Sequence, residues 1–147
     1  MFQRLIATTP TWITVPLRLA LGIVFIAHGL QLVFGLWNGP GLTKFAALDP
    51  PFHFMRPVWL WMGAAALAQL IGGVLVLLGL LTRVGAFLLT CVMLTALFGV
   101  HLSHGFFLPA GIEFNVALLG ITFALLIAGG GQASIDATLA NSRGRRW

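Results

Sequence analysis

Residues 59–102 read WLWMGAAALAQLIGGVLVLLGLLTRVGAFLLTCVMLTALFGVHL, and Arg83 is the only Lys, Arg, Asp or Glu among them. One crossing of a hydrocarbon core of about 30 Å takes roughly 20 apolar residues, so this run is long enough for two. It divides at Thr82-Arg83. Backbone N–H and C=O groups in lipid must be satisfied inside the segment itself. Both halves, 59–81 and 84–102, are therefore predicted as helices, because the period-two pattern of barrel strands is absent. The two-residue connection makes them an antiparallel hairpin.

Working outward, two more apolar segments appear, at 15–37 and 113–128. The expectation is an all-α integral membrane four-helix bundle, one domain over residues 1–147. The first segment is long, holds Arg18 and His28, and has no A-x-A-like exit site, so it reads as a retained helix and not as a leader. Composition agrees. Hydrophobic residues make up 59% and charged residues 7%, with a mean hydropathy of +1.02. Soluble domains carry about 25% charged residues, so this surface must face lipid. Trp12, Trp37, Trp59, Trp61 and Trp147 all fall at or beyond segment ends, as an interfacial belt requires.

The net charge of +5 rests on eight basic residues near segment ends. They read as topology signals and contacts to anionic lipid, not as a nucleic-acid surface. With four spans, Arg4, Arg83, Arg143, Arg145 and Arg146 share one side with Arg18 just inside it, against Lys44 and Arg56 on the other. That excess makes both termini cytoplasmic and the chain a multi-pass protein of a bacterial inner membrane. The long connection after the first span carries Gly39, Pro40, Gly41, Pro50 and Pro51. Its Leu42, Phe45, Ala46 and Leu48 fit a short amphipathic turn on the outer interface. Cys91 is the one cysteine; it excludes an intrachain disulfide and reads as a small core residue.

Polar side chains within a membrane are costly and ask for a reason. At about 1.5 Å per residue, His28 lies about 20 Å along the first span and Gln69 about 15 Å below the outer end of the second. His101 is in the last turn of the third and Glu113 in the first turn of the fourth, with His104 and Asn115 nearby. All four spans thus bring a polar group to the outer, periplasmic half. Gln69 shares a face with Gly72, Gly73 and Val76, a small-residue face suited to a helix contact. Blander readings stand beside this one. His28 could hydrogen-bond a neighbouring helix, Gln69 could be interhelical glue, and His101 with Glu113 could be an interfacial polar pair. Arg18 could snorkel or pair with Asp136. His101 and His104 lack a third ligand at a telling spacing, so no metal site is expected.

As a site, His28, Gln69, His101 and Glu113 suit a quinone headgroup. Its carbonyls need hydrogen-bond donors, its redox chemistry needs proton acceptors, and an apolar groove between helices would hold its tail. His28 and His101 could instead be axial ligands of a haem. No strand–GxGxxG–helix context exists for flavin or nicotinamide. The chain is therefore not a complete enzyme alone, and a protein partner is expected. Three readings follow: a membrane subunit of a quinone-linked oxidoreductase, a non-catalytic accessory or scaffold subunit of a larger membrane complex, and a small-solute transporter. A homo-oligomer is compatible with each.

Several runs, in this order, resemble the DoxX family. They are Leu17-Arg18-Leu19-Ala20-Leu21-Gly22, Phe25-Ile26-Ala27-His28-Gly29, Gln69-Leu70-Ile71-Gly72-Gly73 and Leu77-Leu78-Gly79-Leu80-Leu81-Thr82-Arg83. After His101 come Gly105-Phe106-Phe107, Gly111-Ile112-Glu113-Phe114-Asn115 and the run from Gly129 to Asp136. The resemblance implies a small four-helix membrane protein. It also implies kinship with membrane subunits of quinone-linked oxidoreductases, thiosulfate:quinone oxidoreductase among them, and with partners of soluble redox or thiol-handling proteins. Two positions depart from the family pattern: Gln69 stands where a glutamate is usual, and Leu32 where a lysine is frequent.

Overall fold

The computed structural model describes residues 2–107 and 109–144. Arg145, Arg146 and Trp147, used above for orientation and for the belt, lie outside the described residues, as do the side chains of Arg4 and Arg143. Every regular element described is helical. The order is α1 (Phe2–Ile6), α2 (Thr14–Phe34), α3 (Gly41–Ala46), α4 (Val58–Leu78), α5 (Thr82–Ala96), α6 (Glu113–Ala128) and α7 (Ile135–Gly144). A π-helical turn over Leu97–His101 and a 3₁₀ turn over Leu102–His104 prolong α5. Thr14–Phe34, Val58–Leu78 and the composite Thr82–His104 are each long and apolar enough to cross a membrane. The apolar helix α6 is shorter, at 16 residues, or about 24 Å.

Two helices stop before their hydropathy does. Gly35 takes a left-handed conformation (φ 71°) and its N–H bonds the Gln31 carbonyl, so α2 ends at Phe34 although the apolar run continues to Trp37. Gly79 (φ 66°) does the same for α4, and Leu81 (φ 46°) completes the turn into α5. A glycine cap decides where a helix ends because it releases the last carbonyls into a tight turn, and lipid length has no say in that.

The core lies where α2, α4, α5 and α6 meet, around Leu21, Phe25, Val76, Leu89, Leu118 and Leu125. The opposite faces carry Ile23, Ile71, Phe87, Phe123 and Ile127, all well exposed. Lipid tails are as apolar as these side chains, so association between the helices depends on close packing and on polar contacts.

The end of the bundle that carries α1 and α7 is clasped by a polar cluster. Arg18, expected to snorkel or pair with Asp136, is instead only 6% exposed and spends its donors on main-chain carbonyls. It donates to Val76 at 3.0 Å, Leu77 at 3.0 Å, Gly130 at 2.8 Å and Ala133 at 2.7 Å. Two of these belong to the last turn of α4, where the Val76 carbonyl also accepts from Gly79 N at 3.1 Å, and one planar guanidinium serves both. Asp136 caps the next helix. Its carboxylate accepts from Leu81 N at 2.7 Å, Thr82 N at 2.9 Å and Thr82 Oγ1 at 2.8 Å, at the positive end of α5.

Candidate functional site

At the other end of the bundle, α2, α4, α5 and α6 enclose a cavity of about 550 Å³. Phe45, Pro51 and Met55 from the α2–α4 connection contribute to its wall. The walls are mostly apolar, with His28, Gln69, His101 and Asn115 the polar exceptions of interest. Three of the four residues nominated from sequence therefore line one cavity. Glu113 does not. It opens α6, half-buried, with its N–H on the Phe106 carbonyl at 3.0 Å. A helix turns about 100° per residue, so Glu113 and Asn115 point to nearly opposite sides and only one can face inward. Asn115 takes that place. The signal was present in helical phase, since Asn115, Leu118, Thr122 and Leu125 recur at helical spacing and are all buried.

The histidines are positioned alike. His28 Nδ1 lies 2.9 Å from the Val24 carbonyl of its own helix, and His101 Nδ1 lies 2.8 Å from the Ala110 carbonyl. A carbonyl oxygen can only accept, so each Nδ1 carries a proton, which in the neutral form of the ring leaves the lone pair on Nε2. His28 thus bonds within α2 and not to a neighbouring helix. His101 closes the π-helical turn, whose extra residue per turn re-aims the end of the third span.

The amides are the reverse case. Gln69 is 9% exposed and makes no side-chain hydrogen bond among the described residues. Asn115 is 5% exposed, and its Nδ2 has no partner. A buried donor left unsatisfied costs about 1–3 kcal/mol. Asn115 Nδ2 carries that cost; the Gln69 amide is not among the fully buried atoms and lines the cavity. Cys91, expected in the core, is exposed on α5 and forms part of the cavity wall. The helix phase that buries Leu89 and Met93 leaves Cys91 on the outer side.

An all-helical fold with three spans of membrane length, wrapped at one end around a mostly apolar cavity with a few fixed polar groups, defines an integral membrane protein in contact with the lipid bilayer. A sequence model of the DoxX family matches residues 13–102, and the chain belongs to that family. It is also 31% identical, over 115 residues, to the Bacillus subtilis (strain 168) protein named "Putative oxidoreductase CatD". That match covers 76% of this chain and 77% of the relative. No solved structure matches.

Proposed function

We propose that this chain is the membrane subunit of a quinone-linked oxidoreductase system, and that its cavity takes the quinone headgroup. One observation carries the reading: Gln69, which makes no side-chain hydrogen bond among the described residues, and Asn115, whose Nδ2 has no partner, line the same cavity as His28 and His101, whose Nδ1 atoms are held by carbonyls and leave Nε2 for a ligand. A quinone has two carbonyl acceptors, and the quinol that replaces it has two hydroxyl donors. The amides suit the first and the imidazoles the second. A volume of about 550 Å³ is in the range of small-molecule sites and holds a substituted ring with the start of its tail. The oxidoreductase name of the Bacillus relative points the same way. Quinone reduction consumes two electrons and two protons. The electrons come from a protein partner in this reading, since the sequence has no dinucleotide fingerprint.

The proposal includes the setting. In it α6 makes a fourth crossing, the termini face the cytoplasm of a bacterium, and the cavity opens toward the periplasmic half. The charge excess supports this, with Arg18 and Arg83 at the end that carries α1 and α7 and Lys44 and Arg56 at the other.

A second reading, a non-catalytic accessory subunit of a larger membrane complex, draws on one fact. Among the described residues no carboxylate lines the cavity, since Glu113 lies outside it and position 69 holds a glutamine.

The test is lipid extraction of protein purified in mild detergent, with quinone quantified and haem sought by its absorbance. Quinone is expected at near one per chain. Asn115→Leu and Gln69→Leu should each lower quinone affinity about tenfold, the worth of one hydrogen bond of about 1.4 kcal/mol. Asn115→Leu should leave thermal stability equal or higher, because leucine removes a buried unsatisfied donor. Quinone content unchanged in both variants would refute the reading. A haem spectrum lost in His28→Ala would replace quinone with haem. Neither cofactor, with a stable co-purifying protein, would favour the accessory subunit.

A further inference from the structure

We infer that the ligand enters and leaves sideways, between α4 and α5, from the hydrocarbon itself, so that its substrate class is a quinone with a long prenyl tail lying in that seam. This rests on the quinone reading above and adds the route and the tail.

The seam has a closed end and an open end. Toward the end that carries α1 and α7, α4 and α5 touch through glycine: a Cβ on Gly72 would lie 2.9 Å from Leu89 Cδ2, and one on Gly85 would lie 3.0 Å from the Gly72 carbonyl oxygen. Further along, the same antiparallel pair no longer fills the space between its helices. Ala64 and Ala68 of α4 and Cys91 and Thr95 of α5 become cavity wall. Ala64 and Cys91 are at the same time exposed on the outer surface. The cavity therefore reaches the exterior between them, through an opening lined by small side chains. Lipid-facing positions elsewhere on these helices carry Leu67, Ile71, Phe87 and Leu94.

Depth decides what can pass. Ala64 and Ala68 lie about 9 and 15 Å from the start of α4 at 1.5 Å per residue, well inside a hydrocarbon layer of about 30 Å. Acyl chains, not water, stand outside such an opening. Phe45, Pro51 and Met55 of the α2–α4 connection also line the cavity. A molecule dissolved in the bilayer can enter by this opening, and the seam receives its apolar end while Gln69, Asn115 and the two imidazoles receive its head.

The experiment uses the full chain in lipid nanodiscs and equilibrium binding of two probes: a benzoquinone with a prenyl tail of several units, and the same headgroup without the tail. Ala64→Trp and Cys91→Phe each place bulk in the opening from a different helix, so either serves if the other fails to fold. Ile71→Trp adds similar bulk to an exposed position of α4 outside the opening. The expected result is at least a tenfold loss of affinity for the tailed quinone in either plugged variant, no change in Ile71→Trp, and wild-type affinity at least tenfold higher for the tailed quinone than for the tail-less headgroup. Plugged variants that bind the tailed quinone as the wild type does would overturn the lateral route and leave the headgroup site standing. Equal wild-type affinity for both probes would overturn the tail's place in the seam. Binding of neither probe by the wild type would sink the quinone reading itself, and this inference with it.

Discussion

Replacing Arg18 by leucine is expected to cost about 3–5 kcal/mol of stability, the scale for breaking a buried charged cluster by removing one partner. The reason is the number of groups it serves. Four carbonyls, from Val76, Leu77, Gly130 and Ala133, accept from this one guanidinium. Leucine has no donor for any of them; Val76 keeps the Gly79 N–H at 3.1 Å and Gly130 keeps the Thr14 hydroxyl at 3.0 Å, but Leu77 and Ala133 lose the side-chain donor they have. Asp136 would meanwhile lose the positive charge behind it. Lysine is the informative second variant. Its ammonium is a point charge with three donors on a flexible stem and cannot span carbonyls from two segments in one plane. Arg18→Lys should recover the charge but less than half of the lost stability. Thermal unfolding followed by circular dichroism in detergent checks both. If lysine restores the wild-type midpoint, charge alone is what matters and the carbonyl-capping account is wrong.

That arginine also shows what was legible in the chain and what was not. Lipid imposes a length on every span, and length can be counted, so the all-helical membrane fold could be read from runs of apolar residues. The same counting gave the level of each polar group, because rise per residue is fixed. Azimuth is different. Which side of a helix faces a neighbour depends on phase, and nearly uniform hydrophobicity hides phase. Glu113 drew notice as the only acid in the apolar segments, yet Asn115 two residues later takes the inward direction. Cys91 sat in an apolar run that looked the same on every side, and it faces outward. Arg18 went unread for another cause: its partners are backbone carbonyls, which have no signature in a sequence. The π-helical turn before His101 belongs with it, since a local change in winding is set by the packing it must satisfy.

Azimuth is set instead by the places where helices touch, and one such contact carries the second large effect. A Cβ on Gly29 would lie 2.6 Å from Leu70 Cα and 2.7 Å from Leu70 N. Backbone cannot yield as a side-chain tip can. The pair matters to the cavity because His28 and Gln69 immediately precede Gly29 and Leu70 in the chain. The contact that joins α2 to α4 therefore also fixes where an acceptor and a donor stand relative to each other. Ordinary carbon contacts begin near 3.5–4.0 Å, so even alanine at position 29 requires the helices to part by about 1 Å. Overpacking of that kind costs about 1–3 kcal/mol, offset by the roughly 1 kcal/mol that alanine gains over glycine in a helix. Gly29→Ala should thus lose little stability. It should still lower quinone affinity several-fold, since hydrogen-bond geometry weakens steeply with distance and angle. Gly29→Leu should separate α2 from α4 and abolish both binding and the folded state. Gly120→Ala in α6 is the matched control: nothing lies within 4 Å of its Cβ, and it should gain about 0.5–1 kcal/mol with binding untouched. If Gly29→Ala behaves as Gly120→Ala does in both measurements, the helix contact does not set the site, and the cavity's polar groups are held by something other than the packing of α2 on α4.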